Sequence, residues 1–248
     1  MRRLWPWALW LLPLAAQGSP PSAGTVLHRV SNRREELQLA SLVARGSFTF
    51  MGEDAKAVAA ALKLPEASEV SAPAVLSYKA GGRCRVELVP GNADASSPAV
   101  SNGGGGTVRV SGADVAALKA LATYACPLLD PKGNGESLAS FLRSVGVDTS
   151  RVTYGRLGNL VVAYVIGGRA KDVGLPTFWA EKDRFEPLRL SVPQKGGGVL
   201  DVRLVDYSSP ICGEWHPRLI EVRRGDQLLG RFAVEKIEPN ARVSETLF

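Results

Sequence analysis

The second half of the chain alternates apolar and polar residues over short runs that end at turn signals. In "VLDVRLV", Leu200, Val202 and Leu204 share one face, because successive side chains of a strand point to opposite sides. The runs "TFWA" and "LRLSV" flank a charged turn in the same way. This pattern predicts an antiparallel meander of strands joined by hairpins.

The first half carries the same alternation in "LVARGSFTF" and "RCRVEL". The apolar residues at every second position are Leu42, Ala44, Phe48, Phe50, Cys84, Val86 and Leu88. One face of the predicted sheet is therefore apolar. Glycines inside the strands, such as Gly46 and Gly230, favour a bent sheet over a flat one.

Apolar residues recur at helical spacing in "TVLHRVSNRREELQLASL", "ADVAALKALATYACPLL" and "GESLASFLRSVG", and the shorter "DAKAVAAALKL" indicates a further helix. The Gly-, Ser- and Pro-rich "PGNADASSPAVSNGGGGT" is typical of a mobile loop. We therefore expect an α+β, mainly β fold. It would be a strongly curved antiparallel sheet, or open half-barrel, with a few helices covering its concave apolar face. Such a covered sheet can enclose a cavity for an apolar ligand.

The N-terminus predicts export. Arg2 and Arg3 precede a short apolar run and then small residues, which is the order of a secretory signal peptide over residues 1–18. Its removal takes away these two arginines, so the formal net charge falls from +6 to +4. The remainder, residues 19–248, is expected to be one domain, soluble in the periplasm. It would not be lipid-anchored, since the first cysteine is Cys84, and no later apolar run could span a bilayer.

Three cysteines in an oxidising compartment leave one unpaired. We prefer a possible disulfide between Cys84 and Cys126, although the sequence leaves the two pairings with Cys212 open. Cys212 and His216 in "CGEWHP" supply only half of a structural zinc site and lack an orienting partner for nucleophilic catalysis. We expect neither a metal nor a cofactor.

The remaining polar motifs favour plain turns and loops. The glycines at 103–106 lack the lysine and hydroxyl residue of a phosphate-binding loop, and "RGD" at 224–226 joins two strands. Basic residues are dispersed, which argues against nucleic-acid binding. Glu181, Asp183 and Glu186 lie close together in a turn, so we interpret them as a solvated hairpin tip and expect no enzyme.

Three longer segments resemble one protein family. "PAVLSYKAGGRCRVEL", "PTFWAEKDRFEPLRLSV" and "PRLIEVRRGDQLLGRFAVEKIEPNARVSETLF" are similar to parts of the periplasmic outer-membrane lipoprotein carriers, the LolA-like proteins. The resemblance spans residues 24–248 and implies a half-barrel with a helical lid over an apolar concavity. It also implies binding of lipid or lipoprotein acyl chains in transit, with an inner-membrane donor and an outer-membrane acceptor as partners.

Two details depart from the family pattern. An arginine near the early strands latches the lid in family members, but the nearest candidates here, Arg83 and Arg85, alternate with the apolar residues and so face away from them. The helix expected near residues 55–64 is a second departure, and it leaves the cargo open. An envelope sensor on the same scaffold, bound to a regulatory membrane protein, is therefore the alternative to a carrier.

The expected lipid-binding residues are the apolar side chains of the sheet wall and of the lid helices. They are Phe48, Phe50, Val86, Leu88, Phe178, Leu188, Leu190, Val202 and Phe232 on the wall, and Leu118, Leu121, Phe141 and Leu142 on the lid. The same residues would also serve as ordinary core, because both roles need an apolar inward face.

Overall fold

One open antiparallel sheet dominates the computed structural model, which describes residues 19–91, 97–103, 108–130, 134–158 and 161–248. Its described strands are β1 (Ser41–Met51), β2 (Glu69–Lys79), β3 (Arg83–Leu88), β4 (Ala99–Gly103), β5 (Val108–Ser111), β6 (Val152–Leu157), β7 (Val161–Ile166), β8 (Thr177–Glu181), β9 (Pro187–Pro193), β10 (Val199–Val205), β11 (Leu219–Arg224) and β12 (Gln227–Pro239). Their order across the sheet is β5-β4-β3-β2-β1-β12-β11-β10-β9-β8-β7-β6. The pairing of β1 with β12 joins two consecutive meanders.

Four helices accompany the sheet in the described part of the chain. They are α1 (Ala23–Glu35), α2 (Gly52–Leu62), α3 (Ala116–Ala120, a π-helical turn Leu121–Ala125, and Cys126–Leu128) and α4 (Gly135–Ser144). A short 3₁₀ turn, Glu245–Leu247, follows β12. The expected fold class, a curved mainly β sheet with helices over its apolar face, is confirmed.

The centre of the sheet bends where β1 meets β12. Their register shifts between Arg45 and Gly46, which is a β-bulge, and bulges increase local twist and bending. A Cβ at Gly46 would lie 1.9 Å from the carbonyl oxygen of Ala233, so a side chain there would clash with backbone. The glycine therefore permits the close approach that the bend needs.

The core lies between this bent centre and α3. Phe48 and Phe50 are fully buried, with ring centroids 4.3 Å apart, and Phe232 lies 6.0 Å from Phe48. A Cβ at Gly230 would lie 2.9 Å from the Cβ of Ala117, so α3 lies directly on β12 there. The helix thus covers the apolar face that the alternation predicted.

One sequence prediction was wrong, and another falls outside the described residues. The segment predicted as a mobile loop, residues 90–107, contains strand β4, so the loop prediction was wrong for residues 99–103. Its small and polar residues form a strand because β3 and β5 supply backbone pairing on both sides, partners that local sequence does not show. The predicted signal peptide and the glycines at 104–106 lie outside the described residues.

Candidate ligand-binding cavity

Both ends of α3 are fixed to neighbouring elements. At its first turn, the backbone N–H groups of Ala116 and Ala117 donate to the Asp54 carboxylate of α2, at 3.1 and 2.7 Å. Burial raises the pKa of Asp54, and the two N–H donors oppose that rise. At its last turn, Cys126 is joined to Cys84 of β3 by a disulfide. α3 is therefore attached at both ends, by hydrogen bonds to α2 and by a disulfide to β3.

The other two cover helices, α1 and α4, pack on each other. A Cβ at Gly135 would lie 2.9 Å from the Cα of His28, so the helices cross at close range. α1 buries Val26, Leu27 and Val30 towards the core, and α4 buries Leu138 and Leu142. We call α1 and α4 the helix pair.

A cavity of about 680 Å³ lies where the helix pair meets the end of α3. Its volume falls in the range typical of small-molecule sites. Its described apolar lining is Pro127, Leu128, Leu138, Phe141 and Val145, and its polar lining is Ser31, Arg34, Asn102, Thr123, Asp130, Asn134, Ser137, Ser140 and Ser144, with Gly81 and Gly82 at the β2–β3 turn. The site is thus amphipathic.

The thirteen residues expected to bind lipid divide unevenly around this cavity. Phe141 lines it and is partly buried. The other twelve pack in the closed core under the helices, each with no more than 6% of its surface exposed; they are Phe48, Phe50, Val86, Leu88, Leu118, Leu121, Leu142, Phe178, Leu188, Leu190, Val202 and Phe232. Contact between these twelve and a ligand requires the helices that cover them, including α3 over Phe48 and Phe232, to move away from the sheet.

The sequence reasoning missed Arg34, the cationic group of the cavity wall. It lies four residues after Val30 and seven after Leu27, on the buried face of α1. Burial lowers the pKa of its guanidinium, and nearby Tyr207, Tyr78, Asp130 and Glu186 oppose that fall. A charged residue at helical spacing from a buried stripe is the signal that could have found it.

A small polar cluster lies next to Arg34. Tyr78 and His216 are buried, with ring centroids 6.4 Å apart. Nδ1 of His216 lies 2.7 Å from the Pro217 carbonyl oxygen, which can only accept, so Nδ1 carries the proton and Nε2 is an acceptor. Burial, and secondarily the charge of Arg34, lowers the pKa of His216 to about 3, which keeps the ring neutral.

Glu186 corrects the interpretation of the charged turn. The turn is a hairpin tip as expected, with the backbone N–H of Glu181 donating to the Glu186 carbonyl oxygen at 2.8 Å. The Glu186 side chain, however, is buried and lies 3.2 Å from Arg184. Burial raises the pKa of Glu186 to about 7, while the positive charge of Arg184 acts in the opposite direction. The expected solvated tip is therefore corrected at Glu186, and Phe185 beside it also packs against the core.

The remaining sequence candidates have local roles. Arg83 binds Glu245 of the C-terminal 3₁₀ turn, and Arg85 pairs with Glu87 at 2.9 Å. Cys212 is buried with a free thiol, whose pKa burial raises to about 11, so it is a poor nucleophile at neutral pH. Within the described ranges, no group of three or more His, Cys, Asp or Glu residues is placed to hold a metal ion.

The described helices are also too short or too polar for a membrane span. The architecture is a half-barrel with a helical lid. It consists of a curved, open sheet, α3, the helix pair and the cavity at their junction.

Comparison with solved structures identifies this architecture. A LolA superfamily protein from Nitrosomonas europaea aligns with 92% of this chain and 98% of its own, at 11% identity and a TM-score of 0.51. A putative outer membrane lipoprotein-sorting protein domain from Vibrio parahaemolyticus aligns with 91% and 96%, at 10% identity and a TM-score of 0.44. The Pseudomonas aeruginosa MucA/MucB complex aligns over 90% of this chain and 59% of the matched chain, at 15% identity and a TM-score of 0.29.

The protein therefore has the LolA-like fold, and the resemblance drawn from its sequence is confirmed at that level. The sequence matches no protein-family profile, and no curated protein is similar to it at a significant level.

Proposed function

We propose that the protein binds the acyl chains of lipids or lipoproteins in the periplasm and carries them between the inner and outer membranes. The observation that carries this proposal is the cavity of about 680 Å³ between the helix pair and α3. It is amphipathic, with Leu138 and Phe141 of α4 and the adjoining Val145 on its apolar side. An inner-membrane donor and an outer-membrane acceptor would be the partners of such a carrier.

The energetics explain why a carrier needs this kind of site. An acyl chain of about 16 carbons gains roughly 0.8 kcal/mol per methylene on leaving water, or about 12 kcal/mol in total. Crossing the aqueous space without cover is therefore slow. A carrier must offset much of this cost and still release the chain to a membrane, which an adaptable apolar surface achieves better than a tight polar site.

The attachments of the helices indicate how the chain would enter. The disulfide and the Asp54 carboxylate hold α3 to β3 and α2. The helix pair has no equivalent covalent link to the sheet among the described residues. We infer that the helix pair moves away from α3 and the sheet, so that the chain enters at Phe141 and then reaches wall residues that α3 does not cover.

Fluorescence titration of the lipid-depleted protein with a lipid that carries a labelled hexadecanoyl chain tests the proposal. Ser140→Trp introduces an indole into the cavity lining, whereas Glu35→Trp introduces one on the exposed end of α1. We expect saturable binding by the wild type and by Glu35→Trp. Ser140→Trp should weaken it at least tenfold, because the indole occupies space that the chain needs.

Two outcomes would contradict the proposal. Absence of saturable binding by the folded wild type would exclude an acyl-chain carrier. Binding that Ser140→Trp leaves unchanged would exclude the cavity as the entry site. Saturable binding without transfer of the labelled chain to acceptor vesicles would favour the sensor over the carrier.

A further inference from the structure

We propose that Arg34 and the groups around it form a head-group subsite, which selects acyl ligands with an anionic head, either a carboxylate or a phosphate. This inference rests on the proposed function and names the class of ligand that the cavity prefers. Arg34 is the basic residue in the described lining of that cavity.

The position of Arg34 on α1 supports a ligand subsite. Exposed surface of α1 was available for a cation, as neighbouring Arg33 shows, with about half of its side chain exposed and Glu36 at 3.6 Å. Arg34 lies instead on the buried face, and its Nε has no hydrogen-bond partner among the described residues. Burying a guanidinium N–H without a partner is unfavourable. An accepting oxygen of a ligand would remove that cost.

The polar groups near Arg34 also support the subsite. Tyr78 and His216 both lie near enough for their electrostatic interactions with Arg34 to contribute to its pKa or theirs. The Tyr78 hydroxyl and Nε2 of His216 likewise have no partner in the described part of the chain. A donor, an acceptor and a hydroxyl that can be either are thus grouped around Arg34, which lines the cavity. Two of them, the guanidinium and the hydroxyl, can donate to an anion.

The cavity lining combines a polar surface with an apolar surface. Ser31, Arg34 and Asn102 are polar, whereas Leu138, Phe141 and Val145 are apolar. A chain with one charged end matches both surfaces. Asp130 also lines the cavity and its charge partly offsets that of Arg34, so the site favours a single anionic head over a polyanion.

The test compares ligands that share one chain and differ in the head. Dodecanoate, dodecyl phosphate and dodecanol compete for the lipid-depleted wild-type protein against the neutral dye N-phenyl-1-naphthylamine. We expect both anions to bind about tenfold more tightly than the alcohol, which corresponds to ~1.4 kcal/mol. The order of the two anions identifies the head as carboxylate or phosphate.

Variants then assign the preference to one side chain. Arg34→Gln should abolish the difference in affinity between the anions and dodecanol. Arg33→Gln, the matched control in the same helical turn, should keep the preference. Arg34→Lys keeps the positive charge but lacks the planar guanidinium, so it should keep part of the preference for anions.

Several results would overturn the subsite. Equal affinities for dodecanoate and dodecanol in the wild type would overturn the subsite, even if Arg34→Gln failed to fold. The proposed binding of acyl chains would not be affected by that result. Equal losses for all ligands in Arg34→Gln would show a structural role only. A rise in melting temperature with inorganic phosphate alone would indicate a free-anion site. Binding of none of the ligands would remove the proposed function as well.

Discussion

Arg34 and Glu186 show how far the burial of a single charged residue can be predicted from sequence. Arg34 carries a detectable signal, because it continues the helical stripe of Leu27 and Val30. Glu186 carries none, since several of the charges that act on it, including Arg33 and Arg34 of α1, lie far from it in the chain. Alternation correctly placed the apolar wall, but it could not separate a ligand surface from packed core.

The raised pKa of Glu186 predicts that stability depends on pH. The folded pKa of about 7 exceeds the usual value of 4.5, so the folded protein binds this proton more tightly than the unfolded chain. The stabilisation is complete below about pH 4.5 and is lost as the pH rises through 7. We expect the free energy of unfolding to fall by ~1–3 kcal/mol from pH 5 to pH 8 through this group.

Urea unfolding at both pH values measures this fall. Glu186→Gln, which cannot titrate, should flatten it, whereas Asp183→Asn, a change at the exposed tip of the same hairpin, should retain it. If the wild type and Glu186→Gln show the same slope, Glu186 is not held in a desolvated site.

At the scale of elements, periodicity predicted most helices and strands and failed at the edge of the sheet. β1 and β10 alternate clearly, and the bounds of α4 follow from its apolar spacing and the glycine at 146, which adopts a φ of +89°. β4 is small and polar in sequence, and its backbone pairing with β3 and β5 decides its structure. The cavity depends on how three helices meet, which no local pattern records.

The Asp54 carboxylate should stabilise the start of α3. Asp54→Ala leaves the N–H groups of Ala116 and Ala117 without their acceptor, and we expect a loss of ~1–2 kcal/mol in the free energy of unfolding. Asp114→Ala, which removes only an exposed pair with Lys119, should cost less than ~0.5 kcal/mol. Chemical denaturation compares the two variants, and equal small losses would mean that Asp54 does not anchor α3.

The disulfide should stabilise the other end of α3. Cys84 and Cys126 are 42 positions apart, and closing a loop of that size stabilises the fold by ~4 kcal/mol in the chain-entropy estimate. We expect Cys84→Ala with Cys126→Ala to lower the free energy of unfolding by ~2–4 kcal/mol. Dithiothreitol should destabilise the wild type and have no further effect on the double variant. Equal sensitivity of both proteins to the reductant would argue against this bond.

At the scale of the whole molecule, the described cover helices differ in how they are attached to the rest of the fold. α3 is anchored by Asp54 and the disulfide, and the helix pair closes the cavity beside it. Regions held by fewer anchoring contacts open more readily. The sequence resemblance implied a lid over a half-barrel, and the contacts of the helices are the basis for our proposal of which part of it opens.

Amide hydrogen exchange with and without bound hexadecanoate tests the central claim most directly, because it locates the ligand and the moving elements together. Without ligand, α1 and α4 should exchange faster than α3. With ligand, protection should rise in α1, α4 and the β2–β3 turn, while α3 changes little. Protection confined to other strands, or unchanged exchange at saturating hexadecanoate, would contradict a ligand bound between the helix pair and α3.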